Sequence, residues 1–164
     1  MKNQVILFQF LFICSFVFGQ NSLKSDLLYA DQTPMEVKLN YSNKNVKKKT
    51  NDSTFIETDL SFMNEDKWGT IPVRLRARGN FRRAKCYFPP IKMKIKKSQS
   101  KNTVFTGNKS LKLVLPCRIE NAKNDNILKE YIAYKIYELI SPYHFKTRRV
   151  NVDFTEPKGK KSKS

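Results

Sequence analysis

In the run Ile71-Pro72-Val73-Arg74-Leu75-Arg76-Ala77, apolar and cationic side chains alternate, so that Ile71, Val73, Leu75 and Ala77 share one side of an extended chain. Arg74, Arg76 and Arg78 share the other. A period of two suits a strand, whereas a helix would scatter these residues around its circumference. Ile91, Met93 and Ile95 alternate in the same way with Lys92, Lys94 and Lys96. Two strands of this kind predict a sheet with one face buried in a core and the other lined with cations. That requirement constrains the fold more than any other feature of the chain.

The flanking segments read as further strands. Met35, Val37, Leu39 and Tyr41 alternate with polar residues, Lys44 to Ser53 reads as a lysine-rich turn, and Thr54 to Met63 resumes strand composition. Asn64-Glu65-Asp66-Lys67 reads as a second turn before the arginine-bearing strand, which gives a three-stranded meander. Gly79-Asn80 breaks that strand, and Pro89-Pro90 keeps a helix from forming before Ile91. Ser98 to Ser110 is a polar loop, and Leu111 to Leu115 is a short strand closed by Pro116. One helix is predicted from about Asn126 to Ile140, capped by Asn124, Asp125 or Asn126 and ended by Ser141-Pro142. Its expected core stripe is Leu128, Ile132, Ile136 and Leu139, widened by Ile127, Tyr131 and Ile140, with Glu130, Tyr134 and Tyr137 opposite. A last strand is expected from Thr147 to Phe154. The fold class predicted is α+β, a mostly antiparallel meander with one main helix.

Residues 1–19 read as a signal peptide: Lys2 gives a positive start, Val5 to Phe18 are almost wholly apolar, and Val17-Phe18-Gly19 precedes a cleavage point at Gln20. Cys14 lies inside that signal, and Ile13 stands where a lipoprotein site wants a small residue. The apolar run, about 14 residues, falls short of the roughly 20 that span a bilayer. An exported protein is expected, in the periplasm, outer envelope or outside the cell, with no membrane span once the signal is removed. Residues 20–157 make one domain by length. Residues 158–164 form a basic tail that reads as a hairpin turn cut short. Cys86 and Cys117, the two cysteines after the signal, are open to two readings in an oxidising compartment: a disulfide, or two buried thiols. With His144 the only histidine, no metal site of nitrogen and sulfur ligands can be assembled.

Charge narrows the function. Between Lys67 and Ile119 lie fifteen lysines and arginines and no aspartate or glutamate, most of a net charge of +18. Such a face points to an anionic ligand. Phosphoryl transfer would need carboxylates to hold magnesium and orient a nucleophile, and the acids after the basic stretch form no Asp-x-Asp pair. Phe81, Tyr87, Phe88 and Phe105 offer stacking platforms for nucleic acid, but an export signal argues against that partner. A non-catalytic module that binds anionic polymers of a cell envelope or matrix is the alternative from a different class. No Gly-x-Ser-x-Gly elbow supports nucleophilic hydrolysis, and His144 reads as structural.

Taken in order, Arg76-Ala77-Arg78-Gly79-Asn80-Phe81-Arg82-Arg83, then Cys86-Tyr87-Phe88-Pro89-Pro90-Ile91-Lys92-Met93-Lys94-Ile95, then Leu111-Lys112-Leu113-Val114-Leu115, then Leu128-Lys129-Glu130-Tyr131-Ile132-Ala133-Tyr134-Lys135-Ile136-Tyr137 resemble the amino-terminal part of the CotH (spore coat protein H) kinase-like family. The likeness covers Trp68 to Phe154 and is greatest to exported members from Bacteroidetes-type bacteria. It implies the front part of an atypical protein-kinase-like fold, with ATP and magnesium as cofactors and exported protein hydroxyls as acceptors. Arg78 and Lys94, with Lys92 as the alternative lysine, are then the expected phosphate contacts, and Glu130 the expected partner of that lysine. The family's catalytic and magnesium-binding aspartates fall beyond the residues present, so the resemblance assigns this chain no catalytic residue and implies no transfer by the chain alone.

Overall fold

The computed structural model describes residues 26–118 and 125–157. The signal peptide expected at 1–19 and the tail at 158–164 lie outside those residues. In chain order the elements are α1 (Leu27–Ala30), β1 (Met35–Asn40), α2 (Asn43–Lys49), β2 (Ile56–Asn64), β3 (Lys67–Ala77), α3 (Phe81–Lys85), β4 (Ile91–Ile95), α4 (Lys97–Ser100), β5 (Ser110–Leu113), α5 (Asp125–Ile140) and β6 (Val150–Thr155). The six strands form one sheet in the order β5-β4-β3-β2-β1-β6. The fold is α+β.

Strand alternation works as the sequence predicts. On β3, Ile71, Val73, Leu75 and Ala77 are buried, and on β4 so are Ile91, Met93 and Ile95. Together with Val37, Leu39, Leu60 and Phe62 they form one core, each side chain larger than alanine contributing about 1.5–3 kcal/mol on burial. The β2–β3 hairpin turns through Glu65 and Asp66, both at positive φ (49° and 59°), the conformation that matches the twist of a two-residue hairpin. Phe88 stacks edge to face on Phe154 at 5.0 Å, and Phe154 meets Tyr41 likewise at 5.0 Å. The residues leading into β4 thus reach β6 at the far end of the strand order, which curls the sheet around its core.

Several local expectations are corrected. The segment read as a turn after Tyr41 contains α2, because Val46, fully buried, anchors it to the core and the Ser42 hydroxyl caps it by accepting from the Asn45 N–H (3.3 Å). Residues 81–85, expected to stay free of helix, form α3, which completes its turns before Pro89 and so avoids the proline restriction. Β6 pairs with β1 in parallel, Met35 opposite Val150 through Asn40 opposite Thr155, so the sheet is mixed rather than a pure meander.

The largest correction is the orientation of α5. Its expected core stripe is exposed: Leu128, Ile132 and Ile136 are 47%, 46% and 56% accessible, and Leu139 86%. Tyr131, Tyr134, Lys135 and Glu138 are the half-buried side. The Tyr131 hydroxyl donates to Gln32 Oε1 (3.3 Å), the Arg149 guanidinium lies over the Tyr131 ring at 5.7 Å, and Tyr134 meets Phe145 edge to face at 6.2 Å. Polar and aromatic partners from the segments flanking β1 and β6 hold the helix, while the sheet's core is closed by α2, Phe88, Phe105 and Leu115.

Candidate functional site

Strand register assembles the cations. Arg74 stands directly opposite Lys94, and Arg76 opposite Lys92. Lys92 stands in turn opposite Lys112 on β5. All five share the face turned away from the core. With strands about 4.8 Å apart and about 7 Å between alternate residues of one strand, they occupy a patch roughly 10 Å by 7 Å. Like charges placed opposite one another cost a few tenths of a kcal/mol per pair, so the arrangement opposes folding unless something offsets it.

Part of the offset is aromatic. The ring of Phe55, just before β2, has Lys94 Nζ 4.6 Å from its centroid, with the guanidinium carbons of Arg74 and Arg76 at 5.7 and 5.8 Å. Lys112 Nζ lies 4.9 Å from the Phe145 ring. Each such contact contributes about 0.5–1 kcal/mol at a partly exposed site. Arg76 also pairs with Asp52, itself almost fully exposed. Even so, Arg74 Nε and Arg76 Nε are buried with no hydrogen-bond partner among the described residues. A buried donor left unmade costs about 1–3 kcal/mol, which an acceptor brought by a ligand would recover.

The other expected residues are placed differently. Arg78 lies just beyond β3, its N–H donating to Pro90 O at 2.7 Å, and Gly79 follows at φ 69°. Lys96 stands past the end of β4 and is exposed. Glu130 is exposed on α5, and among the described residues no ion pair joins it to Lys92 or Lys94. The carboxylate of α5 that does pair is Glu138, with Lys135 Nζ at 2.9 Å. That hydrogen bond, more than any other influence, holds its carboxyl below the usual range. His144 Nδ1 lies 2.9 Å from Ser141 O and Nε2 3.8 Å from Glu138 Oε1, ties within its own turn.

Sequence reasoning missed Phe55 and Lys112. Lys112 was within reach, since it alternates with Leu111 and Leu113 as Lys92 does with its neighbours. Phe55 carries no such signal, because only the folded hairpin brings it beside residues 74–94. Cys86 and Cys117 are joined as a disulfide with Cα atoms 4.6 Å apart. Among the described residues there is no group of three or more histidine, cysteine or acidic side chains able to hold a metal, and no helix long and apolar enough to cross a membrane. No family model, curated protein or solved structure matches the chain.

Proposed function

We propose that the protein binds phosphate groups on the face formed by Arg74, Arg76, Lys92, Lys94 and Lys112, as the nucleotide-phosphate-binding part of an exported kinase-like protein. The observation that carries the reading is the pair of buried guanidinium nitrogens, Arg74 Nε and Arg76 Nε, left without acceptors beside directly opposed lysines. A phosphate offers several acceptor oxygens to such donors, and charge-assisted bonds are about twice as strong as neutral ones. The nucleotide rests on the CotH-like order of motifs, and the exported location on the signal peptide expected at residues 1–19. Bound ATP would supply the transferable phosphoryl group. The carboxylates near the patch are isolated, Asp52 paired to Arg76 and Glu57 opposite Arg74. The described residues therefore fit the phosphates but not the magnesium that accompanies them, and this chain's own part is binding and charge neutralisation.

A second reading, a module for anionic polymers, is favoured by the line Arg76-Lys92-Lys112 running straight across three strands of an open face. Thermal-shift titration separates the two. The nucleotide reading expects ATP to raise the melting temperature with no need of magnesium, and Lys94→Ala or Arg76→Gln to abolish the rise. The polymer reading expects a long polyphosphate to bind with a steep loss on added salt while ATP leaves the melting temperature unchanged. If ATP affinity survives both substitutions, the assignment of this face to nucleotide phosphate is wrong.

A further inference from the structure

A second cationic feature lies away from the sheet face. On α2, Lys44, Lys47 and Lys48 fall at i, i+3 and i+4 and so form one helical surface. That surface walls a cleft of about 780 Å³ whose other side is α3, with Arg83, and the Tyr87 segment. Arg83 fastens the two helices together, donating from Nε to Lys47 O (2.9 Å) and from Nη2 to Thr50 O (2.6 Å). Lys47 Nζ donates to Cys86 O at 2.7 Å. Lys44 and Lys48 are exposed and, among the described residues, without partners.

The cleft also presents acceptors. Asn43, 3% accessible, donates from Nδ2 to Tyr87 O at 2.5 Å, which fixes the orientation of its amide. Its Oδ1 is buried with no donor among the described residues. Glu156 accepts the Tyr87 hydroxyl on Oε2 (2.8 Å), so Oε1 remains available. Cations beside unsatisfied acceptors call for a ligand with both an anionic group and O–H donors. A bare inorganic anion leaves Asn43 Oδ1 unpaired, and a neutral polyol leaves the lysines unused. The volume lies within the usual range for small-molecule sites, and the Tyr87 ring, 38% accessible, offers an apolar ledge to the C–H face of a pyranose.

We propose that the cleft between α2 and α3 binds a sugar carrying an acidic group, with the carboxylate or phosphate on Lys44 and Lys48 and hydroxyls donating to Asn43 Oδ1 and Glu156. The test is calorimetric titration of the full, disulfide-bonded chain carrying Arg76→Gln and Lys94→Ala, which removes the phosphate site proposed on the sheet face, with glucuronate, glucose 6-phosphate, glucose and inorganic phosphate. Glucuronate and glucose 6-phosphate are expected to bind at least about tenfold more tightly than glucose or phosphate. The exposed double variant Lys44→Ala/Lys48→Ala is expected to lose at least about tenfold in affinity for both acidic sugars, while Lys129→Ala, at an exposed position of α5, leaves it unchanged. Glu156→Ala should weaken both acidic sugars without altering the melting temperature by more than a few degrees. The proposal is overturned if phosphate binds as well as glucose 6-phosphate, if the double lysine variant binds like the parent, or if neither acidic sugar binds at about 10 mM.

Discussion

At the scale of single residues, Tyr41 is the most exacting case. It is 2% accessible, and among the described residues its hydroxyl has no partner. Burial pushes its pKa well up, and the nearby Tyr87 and Glu156 add to the shift. A raised folded-state value means that the folded chain holds the proton more tightly than the unfolded one. The associated stability is fully present below the unfolded value near pH 10 and is lost above it, by up to about 1.4 kcal/mol per pH unit, until the folded value is reached. Tyr41→Phe removes both the unpaired hydroxyl and this titration. Urea unfolding should show the variant more stable by about 1 kcal/mol at pH 7 and flatter between pH 10 and 11. A variant less stable at pH 7 would show that the hydroxyl does bond within the fold.

Among the elements, the strands were legible and the helices only partly so. Alternation marks β3 and β4 because each strand buries one side, and the same alternation placed Arg74, Arg76, Lys92 and Lys94 on one face before any register was known. Register added Lys112, and the folded hairpin added Phe55. Α2 was hidden because its residues are nearly all polar and its single buried apolar anchor, Val46, sets no period. For α5 the difficulty was the reverse. Leucine, isoleucine and tyrosine occur around most of its circumference, so the sequence specifies a helix without specifying which side turns inward. The cleft beside α2 was out of reach for the same reason that α2 was. The orientation of α5 is testable: Ile136→Lys should change stability by no more than about 0.5 kcal/mol, whereas Leu75→Ala should cost about 2–5 kcal/mol. Equal losses in denaturant unfolding would place Ile136 in the core.

On the scale of the whole molecule, two ties join distant segments. The Cys86–Cys117 disulfide closes a loop with a sequence separation of 31 and holds the Tyr87 segment, whose carbonyl accepts from Asn43, against the residues after β5. Its reduction should lower unfolding stability by about 3–4 kcal/mol, read as a fall in melting temperature on adding dithiothreitol; an unchanged melting temperature would show that the bridge does not constrain the fold. The second tie is the parallel pairing of β1 with β6, in which Glu36 and Asn151 are register partners 115 residues apart. No hairpin can deliver that contact, and it carries the loop-closure entropy of nearly the whole domain. A ribosome makes β1 long before β6, so for that interval the backbone N–H and C=O groups along one side of β1 face water or whatever chain comes near. The time between the two strands, more than the stability of the finished sheet, is the window in which a newly made chain is open to wrong strand pairing with its neighbours.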